Sequence, residues 1–244
     1  MALRAGLPLA GTGCAIAVPM LERIAASRGG DPFDAASLTE DYELGLRIAE
    51  MGGHGAFVRA TGAEGSLIAV RAYFPGTLLA AARQKARWLT GIALAGWDRT
   101  GWSPGWTPGD HWMRMRDRRA PLAVIVLAAA YLSLVGWAVA AGCHLLAGDG
   151  MPPSPFSGLL LVGTTALLVW RLAMRVGFTA ASYGWREGLI ALPRFLVGNV
   201  VALMAAPRAL GLYLGLIAGR KPRWDKTQHE FPADAARART EAIG

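Results

Sequence analysis

The sequence predicts an α/β domain followed by a transmembrane helical hairpin and interfacial helices, with helix dominating overall. Two observations predict this class. Charged residues make up only 17% of the 244 residues, against about a quarter in a typical soluble domain. The shortfall lies in residues 120–218, whereas residues 1–119 have the composition of a soluble domain with helix and strand patterns. Composition therefore divides the chain near Pro121.

Glycine and proline breaks separate the predicted elements of the first part. We predict a glycine turn and a short buried strand within residues 8–20, and further strands at 56–61 and 67–72. The predicted helices cover residues 19–28, residues 37–51, which Gly52-Gly53 terminates, and residues 77–97. The Trp/Pro/Gly-rich residues 98–110 are predicted to be a loop.

A membrane hairpin is predicted over residues 114–180. Residues 121–146 carry no charge and are long enough to cross a bilayer with some tilt. A second span is predicted at about 155–171. The loop between the spans has one acid and no base, whereas basic residues flank the hairpin, so its tip is expected outside the cytoplasm.

The last part, residues 181–244, is predicted to form interfacial or re-entrant helices and a cytoplasmic tail. Its apolar stretch 187–218 contains Arg194 and Arg208, and a charge at mid-membrane depth costs a few kcal/mol. Basic residues flank both ends, which excludes a single crossing if both ends are cytoplasmic. A single third span is the alternative.

Net charge and cysteine usage limit the partners. The net charge of +8 suits either nucleic acid or a membrane surface, and the long apolar runs favour the membrane. We therefore expect no nucleic-acid partner. Cys14 and Cys143 lack the spacing of a disulfide framework or a zinc site, and Cys14 is expected to be a small buried residue. No cleaved targeting segment is predicted.

The first candidate site is an acidic helix start, Ser37-Leu38-Thr39-Glu40-Asp41-Tyr42. Ser37 and Glu40 have the spacing of a capping box, and acidic residues in a first turn stabilise the helix dipole. In a functional interpretation, Asp41 is a general base that takes a proton from a sugar hydroxyl as it attacks an anomeric carbon. Both interpretations hold together if Ser37 and Glu40 position Asp41.

The second candidate site is the helical motif Gln84-Lys85-Ala86-Arg87-Trp88. Gln84, Arg87 and Trp88 share one helix face. An arginine there suits a diphosphate, and an indole suits the apolar face of a sugar ring. The alternative is an amphipathic helix with a basic face on lipid headgroups.

The third candidate is Gly11-Thr12-Gly13-Cys14, which is by itself only a turn before a strand. The order of the three motifs, followed by membrane spans, resembles family 2 glycosyltransferases of the cellulose-synthase and hyaluronan-synthase type. The flanking segments look like the bacterial group named for the phage N4 adsorption protein B, and the resemblance covers nearly the whole chain. These segments are Ser37-Leu38-Thr39-Glu40-Asp41-Tyr42-Glu43-Leu44-Gly45, Tyr73-Phe74-Pro75, Arg83-Gln84-Lys85-Ala86-Arg87-Trp88 and Trp224-Asp225-Lys226-Thr227-Gln228-His229.

The resemblance implies that residues 1–113 form the acceptor-side half of a GT-A-like domain, which transfers a hexosyl group from a nucleotide sugar with inversion. Thr39, Glu40 and Asp41 would be the catalytic motif, with Asp41 as the base. The implied substrate-binding residues are Gln84, Arg87 and Trp88, at the acceptor end of the donor pocket with Arg87 near the diphosphate, and Gly11, Thr12, Gly13 and Cys14, at the border of the acceptor site.

One family feature has no match in this sequence. The family's nucleotide-binding half precedes this region, and its Asp-x-Asp motif holds Mg²⁺ or Mn²⁺. The close acid pair before Asp41, Asp31 and Asp34, has the wrong spacing, so the metal ligands are expected outside this chain. Without the cation's charge on the leaving diphosphate, we expect little or no activity from these residues alone, as from a C-terminal fragment.

The resemblance also implies a location and partners. It implies a multi-pass protein of the bacterial inner membrane, with a cytoplasmic catalytic part and C-terminus, in envelope or exopolysaccharide synthesis or export. Its partners would be a nucleotide-sugar donor and a glycan acceptor, bound through the missing half, membrane lipids, and an outer-membrane export or receptor partner. The alternative is a non-catalytic scaffold or receptor component of a polysaccharide export system used in phage adsorption.

Overall fold

The computed structural model describes residues 5–63, 65, 68, 70, 74–149 and 155–221. The chain divides into two compact units, one comprising Met1–Ala123 and Met204–Gly244, the other Val124–Leu203. The predicted tail beyond residue 221 and the flanking segment Trp224 to His229 lie outside the described residues. Each unit is considered by itself.

Helices make up the regular structure of the described residues, which confirms the mostly helical prediction. They are α1 (Val18–Ser27), α2 (Glu40–Glu50), α3 (Leu78–Leu89), α4 (Ala95–Thr100), α5 (Pro108–Arg118), α6 (Ala120–Ala147), α7 (Pro155–Tyr183) and α8 (Trp185–Ile217). A π-helical turn, Thr90–Leu94, joins α3 to α4. The predicted loop 98–110 is wrong at both ends, because α4 extends to Thr100 and α5 begins at Pro108.

The predicted strands, unlike the predicted helices, are not seen in the described residues. The described residues contain no strand, so the α/β class stays a prediction. The buried strand expected within residues 8–20 is wrong, because residues 11–15 are exposed and α1 begins at Val18. Residues 56–60 are exposed, and residues 67–72 fall largely outside the described part. A strand needs a neighbour for its backbone groups. Among the described residues of this region, the N–H of Ile68 donates to the carbonyl of Ala60, at 2.9 Å.

The predicted helix 77–97 is confirmed and contains an irregularity. It begins where the hydroxyl of Thr77 accepts a hydrogen bond from the amide of Ala80, at 3.2 Å. The π-turn then interrupts the α-helical pattern before α4. A β-carbon at Gly96 would overlap the carbonyl oxygen of Gly91, so this turn requires glycine.

Small residues allow α3 to pack closely within the first unit. Ala86 of α3 is fully buried together with Ala205 and Ala209 of α8. The hydroxyl of Thr90 donates to the carbonyls of Ala86, at 2.9 Å, and Ala209, at 3.2 Å. Packing among alanines lets helix backbones approach closely, and the hydroxyl satisfies its hydrogen-bonding requirement at the contact.

A buried ionic network anchors α5. Arg114 is 1% exposed and donates to Asp110, at 3.0 Å, and to Glu50 of α2, at 2.7 Å. It also donates to the carbonyls of Thr100 and Gly101, at 2.9 and 3.1 Å. Asp110 in turn accepts from the amide of Gly6, at 3.0 Å. These bonds join α2, α4, α5 and the chain before α1.

The pKa of Asp110 makes part of this stability pH-dependent. Burial raises the pKa of Asp110. Hydrogen bonds from Ser103 and the Gly6 amide and the charge of Arg114 together lower it by more than burial raises it, so the pKa lies below its ordinary value of 3.8. The carboxylate therefore contributes stability that is present above the unfolded pKa and is lost as the pH falls through the lower folded pKa. We expect the temperature of the thermal unfolding midpoint to decrease when the pH is lowered below about 4. In Asp110→Asn this decrease should be smaller. A midpoint with the same acid dependence in both proteins would contradict this assignment.

Three helices, α6, α7 and α8, are long and apolar enough to cross a membrane and are compatible with membrane association. The predicted spans 121–146 and 155–171 are helical, and α7 continues to Tyr183. Within the second unit, the Asn199 amide donates to the Tyr131 hydroxyl at 3.2 Å. Such a bond satisfies a polar side chain that would be costly in lipid.

The segment predicted to be interfacial or re-entrant is one continuous helix, α8, rather than a pair of helices. Neither Pro193 nor Pro207 ends it, in keeping with the tolerance of long apolar helices for proline. Arg194, which argued against a span, pairs with Glu187 at 2.9 Å. Whether α8 crosses the membrane or lies along it stays a prediction.

Candidate functional site

Asp41 is the second residue of α2, which begins at Glu40 after the N-cap residue Thr39. The Asp41 carboxylate accepts a hydrogen bond from the Tyr42 amide, at 2.8 Å. Glu40 and Asp41 are half-buried, whereas Thr39 is buried. The helix start thus leaves Asp41 partly accessible at the end of a buried segment.

The predicted capping box does not form. Ser37 lies before the N-cap, and its hydroxyl donates to Glu43, at 2.7 Å, while accepting the Thr39 amide, at 3.1 Å. Glu43 also pairs with Arg99 of α4. Sequence reasoning missed both residues, and the only available signal was the place of Glu43 within the flanking segment of the motif.

The glycine turn lies directly against Asp41. Gly11 has φ +75°, and a β-carbon there would lie 2.7 Å from Asp41 Oδ2. Gly13 has φ +68°, and its β-carbon would lie 2.8 Å from Val70. Only glycine combines this backbone with such close approach. The structure therefore brings the first and third sequence motifs together.

The approach to this turn is fixed on α2. A β-carbon at Gly45 would lie 2.6 Å from the Leu9 amide, so the chain before the turn packs on this glycine. Thr12 and Cys14 are exposed, and the thiol of Cys14 contacts the Thr12 carbonyl at 3.7 Å. The expectation that Cys14 is buried is wrong, because the segment is not a strand of a core. Both exposed side chains belong to the turn whose Gly11 lies against Asp41.

Helix α3 carries the second motif. Gln84 and Arg87 are half-buried, and Trp88 is 40% exposed. The ring of Phe74 lies 6.4 Å from the ring of Trp88 and is exposed too. Two exposed aromatic rings at this separation form a surface suited to the apolar face of a sugar. Phe74 was part of a flanking segment but had no predicted role.

The π-turn joins α3 to the Asp41 loop. A β-carbon at Gly91 would lie 2.6 Å from the Thr39 hydroxyl, so the backbone of the π-turn packs closely on the Thr39 side chain. The Thr39 hydroxyl and the side-chain amide oxygen of Gln84 are buried and have no hydrogen-bond partner among the residues the structure describes. Unsatisfied buried oxygens are uncommon and indicate a place for a polar ligand or water.

Tyr42, next to Asp41, is not a competing base. Burial raises its pKa well above the ordinary value of 10.0, and the neighbouring charge of Asp117 raises it further. Its hydroxyl donates to Asp117 at 3.2 Å. Tyr42 therefore remains neutral at physiological pH, and its ring packs in the core beside the motif.

The described residues do not fit the divalent cation that the family resemblance implies. Among them, no three His, Cys, Asp or Glu side chains lie close enough together to hold a metal ion. Asp31 accepts the Phe33 amide at 2.8 Å, and Asp34 pairs with Arg28 at 3.0 Å. The hydrogen bond from Arg28 lowers the pKa of Asp34. These two acids therefore serve the loop before α2, and no catalytic step is assigned to a metal here.

Comparison with known proteins identifies the family. Residues 1–216 match the family described as glycosyl transferase family group 2. The chain belongs to this family. No solved structure matches it.

Two relatives match nearly the whole chain. The sequence is 32% identical over 259 aligned residues to the bacteriophage adsorption protein B of Escherichia coli K12 and to the bacteriophage N4 adsorption protein B of Escherichia coli O157:H7. The alignment covers 95% of this chain and 34% of each relative, so the chain spans about a third of their length. These matches confirm the recognised family and subgroup.

Gly11→Ala tests the contact between the turn and Asp41 in this glycosyltransferase-family chain. The new β-carbon would displace the Asp41 carboxylate. In the full-length protein we expect sugar transfer, the activity proposed below, to fall about 10- to 100-fold. The matched control is Gly29→Ala, since Gly29 also has a positive φ, +82°, but nothing within 4 Å. Both variants carry the same backbone strain of about 1–2 kcal/mol. Equal transfer rates in the two variants would exclude a catalytic role for this contact.

Proposed function

We propose that this chain forms the acceptor side of the active site of an inverting, membrane-anchored glycosyltransferase that uses a nucleotide sugar. The observation that carries the proposal is the Asp41 carboxylate at a helix start, with the Gly11–Cys14 turn against it and the π-turn of the Gln84–Trp88 helix against its neighbour Thr39. The family membership supports a transferase.

In the proposed reaction, Asp41 accepts the proton of an acceptor hydroxyl while the hydroxyl oxygen attacks the anomeric carbon of the donor sugar. The bond from that carbon to the nucleoside diphosphate breaks, and the diphosphate leaves with the electron pair. Because attack occurs opposite the leaving group, the configuration inverts. The acceptor would enter past the exposed Thr12 and Cys14.

The α3 residues are assigned to the donor. Arg87 would contact the diphosphate, because a guanidinium matches phosphate oxygens with paired donors. Trp88, with Phe74 beside it, would stack on a sugar ring. The buried oxygens of Thr39 and Gln84 would accept hydrogen bonds from sugar hydroxyls. Glu40 would complete the catalytic motif at the rim.

We further propose that the nucleotide and its cation bind to a part of the protein beyond this chain. The absence of a fitting acid group among the described residues and the coverage of one third of the relatives support this division. The 244 residues alone would then transfer little or no sugar.

The proposed setting is the bacterial inner membrane, with the catalytic part in the cytoplasm, in the synthesis or export of an envelope polysaccharide. Exposed Arg116 and Arg119 directly precede α6, and exposed Trp112 lies one turn earlier. Basic side chains at the end of an apolar helix favour the cytoplasmic side, and tryptophan favours a membrane interface on either side.

The test is a donor screen on membranes from cells that make the full-length protein, including the proposed nucleotide-binding part. Each radiolabelled nucleotide sugar is supplied separately, and label in extracted glycan is measured. The proposal predicts that at least one donor labels glycan with the wild-type protein and none does so with Asp41→Asn. Absence of labelling from every donor, with the protein present in the membrane, would reject a transferase function.

The relatives' names refer to bacteriophage adsorption, which favours a second candidate, a non-catalytic scaffold or receptor component of a phage adsorption system. The two functions differ in one observable. A scaffold supports phage adsorption equally well as the wild type and as the Asp41→Asn variant, whereas an enzyme whose glycan is the receptor loses adsorption in that variant.

A further inference from the structure

A buried ion pair lies beneath the Asp41 loop. Glu43, one turn after Glu40 in α2, has a side chain that is only 2% exposed. It pairs with Arg99 of α4, which is 56 residues away in sequence and 25% exposed. No motif that identified the family includes Arg99.

The pair extends as a hydrogen-bond network to the backbone of the loop. Arg99 Nε donates to Glu43 at 3.0 Å, and its Nη2 donates to both Glu43 and the Ser37 hydroxyl. The Ser37 hydroxyl donates to Glu43 at 2.7 Å and accepts the Thr39 amide at 3.1 Å. The network therefore holds the backbone two residues before Asp41.

The π-turn allows Arg99 to reach Glu43 and Ser37. Successive residues of an α-helix are rotated by about 100°, so one extra residue in a turn redirects every later side chain by that angle. Gly91 and Gly96 permit the turn and its contact with Thr39. Arg99 thus links the helix of Gln84, Arg87 and Trp88 to the loop that carries Asp41.

A gain in folding stability does not by itself account for the Glu43–Arg99 pair. The desolvation of a buried ion pair can equal or exceed its Coulombic gain, so such pairs often add little net stability. The Arg114 network already joins α2 to α4 and α5 without contacting the Asp41 loop. The distinctive feature of the Glu43–Arg99 pair is its connection to Ser37 and Thr39.

We propose that Glu43 and Arg99 are positioning residues for sugar transfer. They fix the Ser37–Thr39 backbone so that the Asp41 carboxylate faces the glycine turn, and they couple this orientation to the α3 helix. The inference rests on the proposed glycosyltransferase function and deepens it. Neither residue touches the substrates.

The test compares Glu43→Gln with a matched variant, Glu50→Gln, both made in the full-length protein that includes the proposed nucleotide-binding part. Both residues lie on α2 and pair with an arginine, but Glu50 is at the other end of the helix, on Arg114. We expect Glu43→Gln to lower kcat about 10- to 100-fold with little change in the donor KM, because misplacement of a catalytic group acts on the chemical step. Glu50→Gln is expected to keep the wild-type kcat. Arg99→Lys, which keeps the charge but loses the paired donors, should lie between wild type and Arg99→Gln.

A second measurement does not depend on activity. Hydrogen exchange of the peptide containing residues 37–41 should be faster in Glu43→Gln and unchanged in Glu50→Gln, with the wild-type protein as reference. Wild-type kcat in Glu43→Gln, or equal losses in the Glu43 and Glu50 variants, would overturn the positioning role while wild-type transfer upholds the function. No transfer by the wild type with any donor would reject the function and this role together.

Discussion

In the full-length protein, replacing Asp41 by asparagine is expected to lower the rate of the proposed sugar transfer by about 10²- to 10⁴-fold, the usual contribution of a positioned general base. Asparagine has nearly the same shape and keeps an oxygen to accept the Tyr42 amide, so α2 should still begin at Glu40. The amide cannot accept the proton of the acceptor hydroxyl. Turnover falls while donor binding remains.

Asp31→Asn is the matched control, because Asp31 is an exposed aspartate that accepts a backbone amide two residues later, at 2.8 Å. Transfer and membrane content are measured side by side for both variants and the wild type. We expect wild-type transfer in Asp31→Asn and equal membrane content in all three. Transfer by Asp41→Asn at the wild-type rate would remove Asp41 from the mechanism.

Replacing Arg114 by methionine is expected to destabilise the folded state by about 3–5 kcal/mol. Methionine fills much of the space but removes the guanidinium that donates to the carboxylates of Asp110 and Glu50 and to the carbonyls of Thr100 and Gly101. Removing one partner from a buried ionic network leaves uncompensated charge in a low-dielectric site, which costs more than the network contributes net. The thermal midpoint in detergent should fall by about 10 °C.

Arg116→Met provides the comparison, since Arg116 lies on the same helix, is 46% exposed and pairs only with the adjacent Asp117 among the described residues. We expect its thermal midpoint to stay within about 2 °C of the wild type, as is usual for an exposed ion pair. If the two variants have the same thermal midpoint, the network around Arg114 does not stabilise the first unit.

The sequence predicts those features that depend on neighbouring residues. Helix α2, the helix bearing Gln84 and Trp88, and the long apolar helices follow from local periodicity and composition, and the structure contains them, although α2 begins at Glu40 rather than at Ser37. The contact of Gly11 with Asp41 is non-local, but the motif order associated the two residues. The family therefore could be recognised without the fold.

Features that depend on distant partners could not be predicted. Arg99 reaches Glu43 only because a π-turn redirects α4, and the sequence carries no periodic signal for such a turn. The loop expected at 98–110 contains the start of α5, because buried ionic contacts of Asp110 stabilise it despite its tryptophan, proline and glycine residues. The strand expected around Cys14 is local in pattern, but its formation requires a pairing partner.

The central claim, that the glycine turn, the Asp41 loop and α3 surround the transferred sugar, is tested most directly by photo-crosslinking. A nucleotide sugar with a photoreactive group on the sugar ring is irradiated with wild-type membranes, and the labelled peptides are identified by mass spectrometry. We predict label within residues 11–14, 37–46 or 74–88, abolished by excess unlabelled donor. Label that excess unlabelled donor abolishes, but that is found only in other parts of the protein, would contradict the claim.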